Sequence, residues 1–170
     1  MTKNIFITGP PGIGKTSLIK HLIKDLGPLI VRGFFKEEIV ENDVCKGFRV
    51  VTLELRDQIL GHVYIEGPHR LAGYGINVEG FEKLVLPELK IAREVDLFLI
   101  DEIGRMECLS TKFCEQVKQI MNSPIPLIAT LAGSEIPELF SLKNRHDVAL
   151  LQLTQKNKDY LWKNVLLELE

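Results

Sequence analysis

The 170-residue sequence is poor in cysteine, in net charge and in long hydrophobic runs. Its three cysteines, Cys45, Cys108 and Cys114, form no CxxC pair, and an odd number suits no closed set of disulfides. We therefore expect a reduced, cytoplasmic protein. The formal net charge of −2 leaves no excess of positive charge for general binding of nucleic acids. No stretch approaches the roughly 20 apolar residues of a membrane helix, so we expect no membrane partner.

Length and hydrophobic periodicity predict one α/β domain over residues 1–170. Short apolar runs that end at turn signals alternate with stretches of helical spacing, which favours a mostly parallel sheet with helices on both faces. The predicted strands are residues 4–8, 28–35, 97–100, 126–131 and 148–153. The predicted helices are residues 15–26, 79–94 with a kink at Pro87, a segment capped by Ser110, a short one from Ser134, and 157–169. Residues 48–55 and 61–65 are predicted to form an added β-hairpin, followed by a loop over residues 67–75.

The strongest motif is GPPGIGKT at residues 9–16, which matches the P-loop pattern G-x-x-x-x-G-K-[ST]. Glycines allow the tight turn that aims backbone N–H groups at phosphate oxygens, and the helix that starts there favours an anion. The lysine can reach the β- and γ-phosphates, and the threonine hydroxyl can bind Mg²⁺. The predicted nucleotide-binding residues are Gly9, Pro10, Pro11, Gly12, Ile13, Gly14, Lys15 and Thr16.

A second acidic motif follows the apolar run at residues 97–100. Asp101 is the predicted acid that holds Mg²⁺ together with Thr16, and Glu102 is the predicted residue that activates the attacking water. Neighbouring side chains of an extended chain point in opposite directions, which suits two separate roles. Gly104 is expected to be a flexible exit from the strand, within contact of the nucleotide.

The same residues, Asp101 to Gly104, also satisfy Asp-x-x-Gly, a phosphate-sensing pattern of GTPases. A GTPase also needs Asn-Lys-x-Asp to recognise guanine. The nearest match starts at Asn157 and has Tyr160 at its fourth position, which disfavours a dedicated GTPase.

A cation should stabilise charge that develops on the γ-phosphate. Arg105 is the first candidate because it is nearest to the acids, and Arg145 and Arg70 are weaker alternatives. The base could stack on one of three aromatic residues, which are Phe35, Tyr74 and Tyr160.

These motifs, together with YGINV at residues 74–78, FEKL at 81–84 and DEIGRME at 101–107, resemble one family nearly from end to end. It is the small P-loop nucleoside-triphosphatase family first described from thermophiles, which includes the cancer-related nucleoside-triphosphatase. The resemblance implies a RecA-like P-loop NTPase fold and slow, Mg²⁺-dependent hydrolysis of several nucleoside triphosphates. This chain has Lys36, Arg105 and Lys158 where the family usually has Thr, Lys and Arg.

We therefore expect a nucleoside-triphosphate phosphohydrolase that uses Mg²⁺ and acts on ATP, GTP and other NTPs with low base selectivity. The expected catalytic residues are Lys15, Glu102 and Arg105. Two alternatives stay open from the sequence. One is a nucleotide or nucleoside kinase, and the other is a nucleotide-dependent switch with slow hydrolysis.

Overall fold

A nine-stranded mixed sheet runs through the computed structural model, which describes residues 2–132 and 136–169. The strands are β1 (Asn4–Thr8), β2 (Val31–Glu41), β3 (Val44–Thr52), β4 (Asp57–His62), β5 (Arg70–Leu71), β6 (Tyr74–Ile76), β7 (Leu97–Ile103), β8 (Leu127–Leu131) and β9 (Val148–Gln152). Their order across the sheet is β5-β6-β4-β3-β2-β7-β8-β1-β9. The pairs from β2 through β7, β8 and β1 to β9 are parallel, whereas β3, β4, β6 and β5 extend the sheet in antiparallel fashion.

Helices cover both faces of the sheet. They are α1 (Lys15–Asp25), α2 (Val78–Glu88), α3 (Thr111–Asn122), α4 (Pro137–Lys143) and α5 (Leu161–Leu169). Strand β7 shows the two faces clearly, because Leu97 and Leu99 pack with α1 and α5, whereas Phe98 and Ile100 pack with α2, α3 and α4. A strand segment that is buried on both faces is apolar at every position, as the sequence of residues 97–100 predicted.

The α/β class, the helices on both faces and the added hairpin are confirmed, but several boundaries differ. The hairpin is formed by β3 and β4, and residues 57–60, which were expected to form its turn, belong to β4. The expected loop at 67–75 contains the two short strands β5 and β6. Strand β2 continues to Glu41 because it pairs with β3 beyond the parallel core.

Two helices also differ from expectation at their ends. Pro87 lies in the last turn of α2, and the helix ends at Glu88 where a kink followed by helix to residue 94 was expected. Proline lacks an N–H group and so weakens helix continuation. Helix α5 begins at Leu161, because Asn157 instead organises the turn before it. The expected start at Ser134 lies outside the described residues, whereas the predicted cap by Ser110 is confirmed by its bond from the Phe113 N–H at 3.0 Å.

The contact between β2 and β7 determines where the acidic motif lies. Gly33 is paired with Leu99, and the register continues to Phe34 opposite Ile100. Asp101 and Glu102 follow directly on β7, so the β2 residues beyond Phe34 lie beside them. Within the part of the chain that the structure describes, no helix is long and apolar enough to cross a membrane.

Candidate active site

The P-loop connects β1 to α1 and turns sharply at two glycines. Gly12 has a φ of 78° and Gly14 a φ of 113°, and both values favour glycine. Gly14 caps the start of α1, and its carbonyl accepts the Leu18 N–H at 3.0 Å. The N–H groups of a first helical turn have no partners within the helix. They and the helix dipole therefore favour an anion at the start of α1.

Lys15 folds back over the loop. Its Nζ donates to the Gly9 carbonyl at 2.7 Å and lies 3.4 Å from the Pro10 carbonyl. Gly9 itself is enclosed, because a Cβ there would lie 2.9 Å from Ile13 Cγ2 and 3.1 Å from the Leu153 carbonyl oxygen. The loop is therefore packed against Leu153 at Gly9, whereas several of its other residues line a cavity.

Asp101 lies at the end of the parallel part of β7 and is held by two hydroxyl groups. Thr16 Oγ1 donates to Oδ2 at 2.7 Å, and Thr130 Oγ1 donates to Oδ1 at 2.6 Å. The residue is 2% exposed, and this burial raises the pKa of its carboxyl group, opposed by the two threonine hydrogen bonds. The predicted pairing of Thr16 with Asp101 in space is thus present, although 85 residues separate them.

The Thr16 hydroxyl oxygen and the Asp101 carboxylate together suit a small hard cation. Mg²⁺ prefers oxygen ligands and is commonly held by one or two protein groups plus the phosphates of its substrate. Among the described residues there is no cluster of three or more His, Cys, Asp or Glu side chains that could hold a metal ion by itself. A hydroxyl and a buried carboxylate beside a phosphate-binding loop are therefore a donor set that fits Mg²⁺ and not one that fits zinc.

Glu102 lies in a separate group of charges. Its Oε1 accepts a hydrogen bond from Lys36 Nζ at 2.7 Å, and the same ammonium donates to Glu107 Oε1 at 2.8 Å. Burial opposes the charge on Lys36, but attraction to Glu107 and Glu102 outweighs it and raises the pKa of the lysine above its usual value. Burial raises the pKa of Glu107, which is 0% exposed, although Lys36 opposes this shift.

Lys36 and Glu107 were not predicted as site residues. The parallel register between β2 and β7 ends at Phe34 opposite Ile100, and Lys36 and Glu102 each lie two residues beyond that pair, where their side chains meet. Lys36 lies one residue beyond the predicted strand 28–35, where a lysine usually faces solvent, and only the strand pairing brings this one inward. The available signal was the departure from the family at position 36.

The flexible exit expected at Gly104 stays a prediction, and the structure adds that two carboxylates lie close to this residue. A Cβ at this position would lie 3.0 Å from Glu107 Oε2 and 3.3 Å from Glu102 Oε1. Because Gly104 has no side chain, the two carboxylates can lie close to the backbone there.

The three candidate arginines lie in different environments. Arg105 is exposed and lines the same cavity as the P-loop. Arg145 is bound to the Asp147 carboxylate, the Asn122 side chain and the Met121 carbonyl, and it does not line this cavity. Arg70 donates to backbone carbonyls of its own loop. Of the three, only Arg105 is at the site.

A cavity of about 780 Å³ joins the P-loop to the acidic motif. The lining comes in part from the P-loop and the start of α1, and in part from Asp101, Glu102 and Arg105. Further side chains come from β2, from the antiparallel extension and from the segment after β7, including Lys36, Phe48, Leu71 and Met106. Of the predicted nucleotide-binding residues, Pro11, Gly12, Gly14, Lys15, Thr16, Asp101 and Glu102 line it, whereas Gly9, Pro10, Ile13 and Gly104 do not.

A second groove of about 350 Å³ adjoins the P-loop between α1 and the segment that leads into α5. Its lining includes Ser17, His21, Lys158 and Trp162, and the rings of His21 and Trp162 lie 4.6 Å apart between centroids. None of the three predicted stacking residues lines either cavity: Phe35 lies beneath Lys20, Tyr74 packs against Phe48, and Tyr160 is exposed. Sequence reasoning thus missed Trp162, an aromatic residue that lines a groove together with Ile13 and Gly14 of the P-loop.

Both polar atoms of the Asn157 side chain are hydrogen-bonded within its own turn. Its Oδ1 accepts the Thr154 N–H at 2.7 Å, and its Nδ2 donates to the Gln152 carbonyl at 2.8 Å. This side chain therefore organises the backbone after β9 and has both ends occupied.

Comparison with known proteins identifies the family of this chain. A family model described as NTPase matches residues 4–166. The chain is 39% identical over 163 residues to nucleoside-triphosphatase THEP1 of Thermotoga maritima, covering 95% of this chain and 92% of that protein. The crystal structure of THEP1 from Aquifex aeolicus superposes with a TM-score of 0.89 at 35% identity, covering 98% of this chain and 99% of that one. The solution structure of a human cancer-related nucleoside triphosphatase gives 0.82 at 30% identity, covering 98% and 96%. The chain therefore belongs to the nucleoside-triphosphatase family that its sequence motifs predicted.

Proposed function

We propose that this protein hydrolyses nucleoside triphosphates to the diphosphate and phosphate, with Mg²⁺ and with low base selectivity. The observation that carries the proposal is one cavity in which the P-loop faces two carboxylates that have different partners. Asp101 is bound by two threonine hydroxyls, whereas Glu102 is bound by an ammonium group. This separation supports one carboxylate for the metal and one for water.

The phosphate chain lies along residues 9–16 in this proposal. Backbone N–H groups of the loop and the start of α1 bind phosphate oxygens, and Lys15 exchanges its contact with the Gly9 carbonyl for the β- and γ-phosphates. Thr16 and Asp101 would hold Mg²⁺, which when bound neutralises phosphate charge. The two oxygen ligands already lie 2.7 Å from each other.

Glu102 orients the attacking water and accepts its proton. The side chain lines the cavity, and among the hydrogen bonds of the described residues only its Oε1 is engaged. Oε2 is thus available to a water molecule beside the γ-phosphate. Arg105, whose exposed side chain lines the same cavity, would balance the negative charge that develops on the transferred group.

The base and ribose would lie in the second groove, against Trp162. Aromatic stacking tolerates every base because each has a π-face. The amide of Asn157 has both ends bound to its own turn, so it is not poised to recognise guanine. Both observations support low base selectivity and disfavour a dedicated GTPase switch.

The test is phosphate release from ATP, GTP, CTP and UTP, with Mg²⁺ and with a chelator in its place. Rates that agree within about tenfold across the four substrates, and that vanish with the chelator, are expected. A strong preference for GTP would favour the switch. Adding nucleosides and nucleoside monophosphates tests the kinase alternative, because phosphate transferred to an acceptor would replace free phosphate as the product.

A further inference from the structure

A lysine lies between two carboxylates at the edge of the proposed active site. Lys36 bridges Glu102 and Glu107 at 2.7 and 2.8 Å, and its Nζ also lies 5.2 Å from the centre of the Phe48 ring. These contacts surround the ammonium with two acceptors and one aromatic face. Glu107 is wholly buried, Lys36 reaches the cavity and Glu102 lines it, so the three charges lead from the core to the site.

We propose that Lys36 is a positioning residue that fixes the orientation of the Glu102 carboxylate, with Glu107 as its buried anchor. The proposal rests on the proposed function, because it assigns the orientation of the group that activates water. Lys36 occupies Oε1 of Glu102 and thereby directs Oε2 toward the cavity. Precise placement of a general base strongly affects turnover, since misplacement of about 1 Å can lower the rate about 100-fold.

Glu107 explains why the lysine stays in place. A buried carboxylate requires a charged or hydrogen-bonding partner, and Lys36 donates to its Oε1. Glu107 Oε2 has no hydrogen-bond partner among the described residues, so Lys36 is the cation on which this side chain depends. If the lysine moved away, the Glu107 carboxylate would stay buried without a cation to balance its charge.

Gly104 closes the arrangement from the backbone side. The two glutamates converge on it so closely that an added Cβ would meet both carboxylates. Gly104 thus leaves room for the Glu102 carboxylate beside the backbone, while Lys36 binds its Oε1. A side chain that only neutralised Glu107 would need no contact with Glu102.

The experiment measures kcat, KM for ATP with Mg²⁺, and the urea unfolding midpoint for Lys36→Met, Glu107→Gln and the double variant. The double variant removes the lysine and the buried charge together, so it is expected to unfold near the wild-type midpoint. We expect kcat to fall about 10- to 100-fold in Lys36→Met and in the double variant, with KM within about twofold. Lys36→Arg keeps the positive charge and can still donate to both glutamates, so it should recover part of the lost kcat. Lys83→Met removes a lysine from an exposed ion pair of α2 and serves as the matched control.

Three results would overturn the proposal. Wild-type kcat in the double variant would show that Lys36 only neutralises Glu107. A higher kcat in Lys36→Met would show that the contact restrains Glu102, and a large rise in KM would make Lys36 a binding residue.

Glu102→Gln distinguishes this proposal from the proposed function: if it keeps wild-type turnover, the role of Glu102 is wrong. If it loses turnover while Lys36→Met does not, only the role of Lys36 is wrong. When both roles hold, adding Lys36→Met to Glu102→Gln should cost little more.

Discussion

Replacing Gly33 by alanine should separate the strand that carries Lys36 from the strand that carries the acidic motif. Gly33 has a φ of 136°, where other residues are strained by about 1–3 kcal/mol. An added Cβ would also lie 1.8 Å from the Leu99 carbonyl oxygen, so β2 and β7 would have to move apart by more than about 1 Å. Losing two strand hydrogen bonds there costs about 2 kcal/mol. The total of about 3–5 kcal/mol is a large part of the 5–15 kcal/mol that is typical of a domain's stability.

Gly67 provides the matched control for this substitution. It has a φ of 148°, yet an added Cβ would meet nothing within 4 Å. Gly67→Ala therefore isolates the backbone strain, and Gly33→Ala should destabilise the fold by about 2 kcal/mol more. Urea unfolding followed by the fluorescence of the single tryptophan measures both. Equal losses in the two variants would refute the close approach of β2 and β7.

Three further substitutions test separate parts of the structure. Gly104→Ala should lower kcat about tenfold by displacing the Glu102 carboxylate, with the free energy of unfolding nearly unchanged, as phosphate release and urea unfolding would show. The hydrogen bond from Arg145 holds the pKa of Asp147 below its usual value. The stability that this ion pair contributes is therefore present above the pKa of Asp147 in the unfolded chain, and it is lost as the pH falls through the pKa in the folded protein. Asp147→Asn should thus cost about 1 kcal/mol at pH 7, and urea unfolding at decreasing pH should show that difference disappear. Trp162→Ala should raise KM for ATP, GTP, CTP and UTP alike by about tenfold, and a rise for one base alone would contradict stacking.

The parts of the site that could be predicted are those with a local signal. The P-loop is contiguous, and the turn at its glycines depends on residues next to one another. Asp101 and Glu102 follow an apolar run whose burial on both faces was evident from the sequence. For these residues, the sequence alone indicated which end of which strand would carry them.

The rest of the site depends on strand pairing and on burial. Lys36 approaches Glu102 only because β2 runs parallel to β7 in one register, and no local pattern encodes that register. Glu107 lies in a short helical turn, Glu107–Leu109, where a glutamate ordinarily faces water. Trp162 was missed because its contact with His21 joins α5 to α1 across most of the chain, and no local pattern encodes that contact.

The role of Glu102 is tested most directly by comparing binding and turnover in Glu102→Gln. Glutamine keeps the size of the side chain and one acceptor oxygen for Lys36, but its amide cannot accept a proton from water. Titration with ATP and Mg²⁺, followed by Trp162 fluorescence, should give a Kd close to that of the wild type. Phosphate release in the same variant should fall at least about 100-fold. Wild-type turnover at unchanged affinity would contradict the assignment of water activation to Glu102.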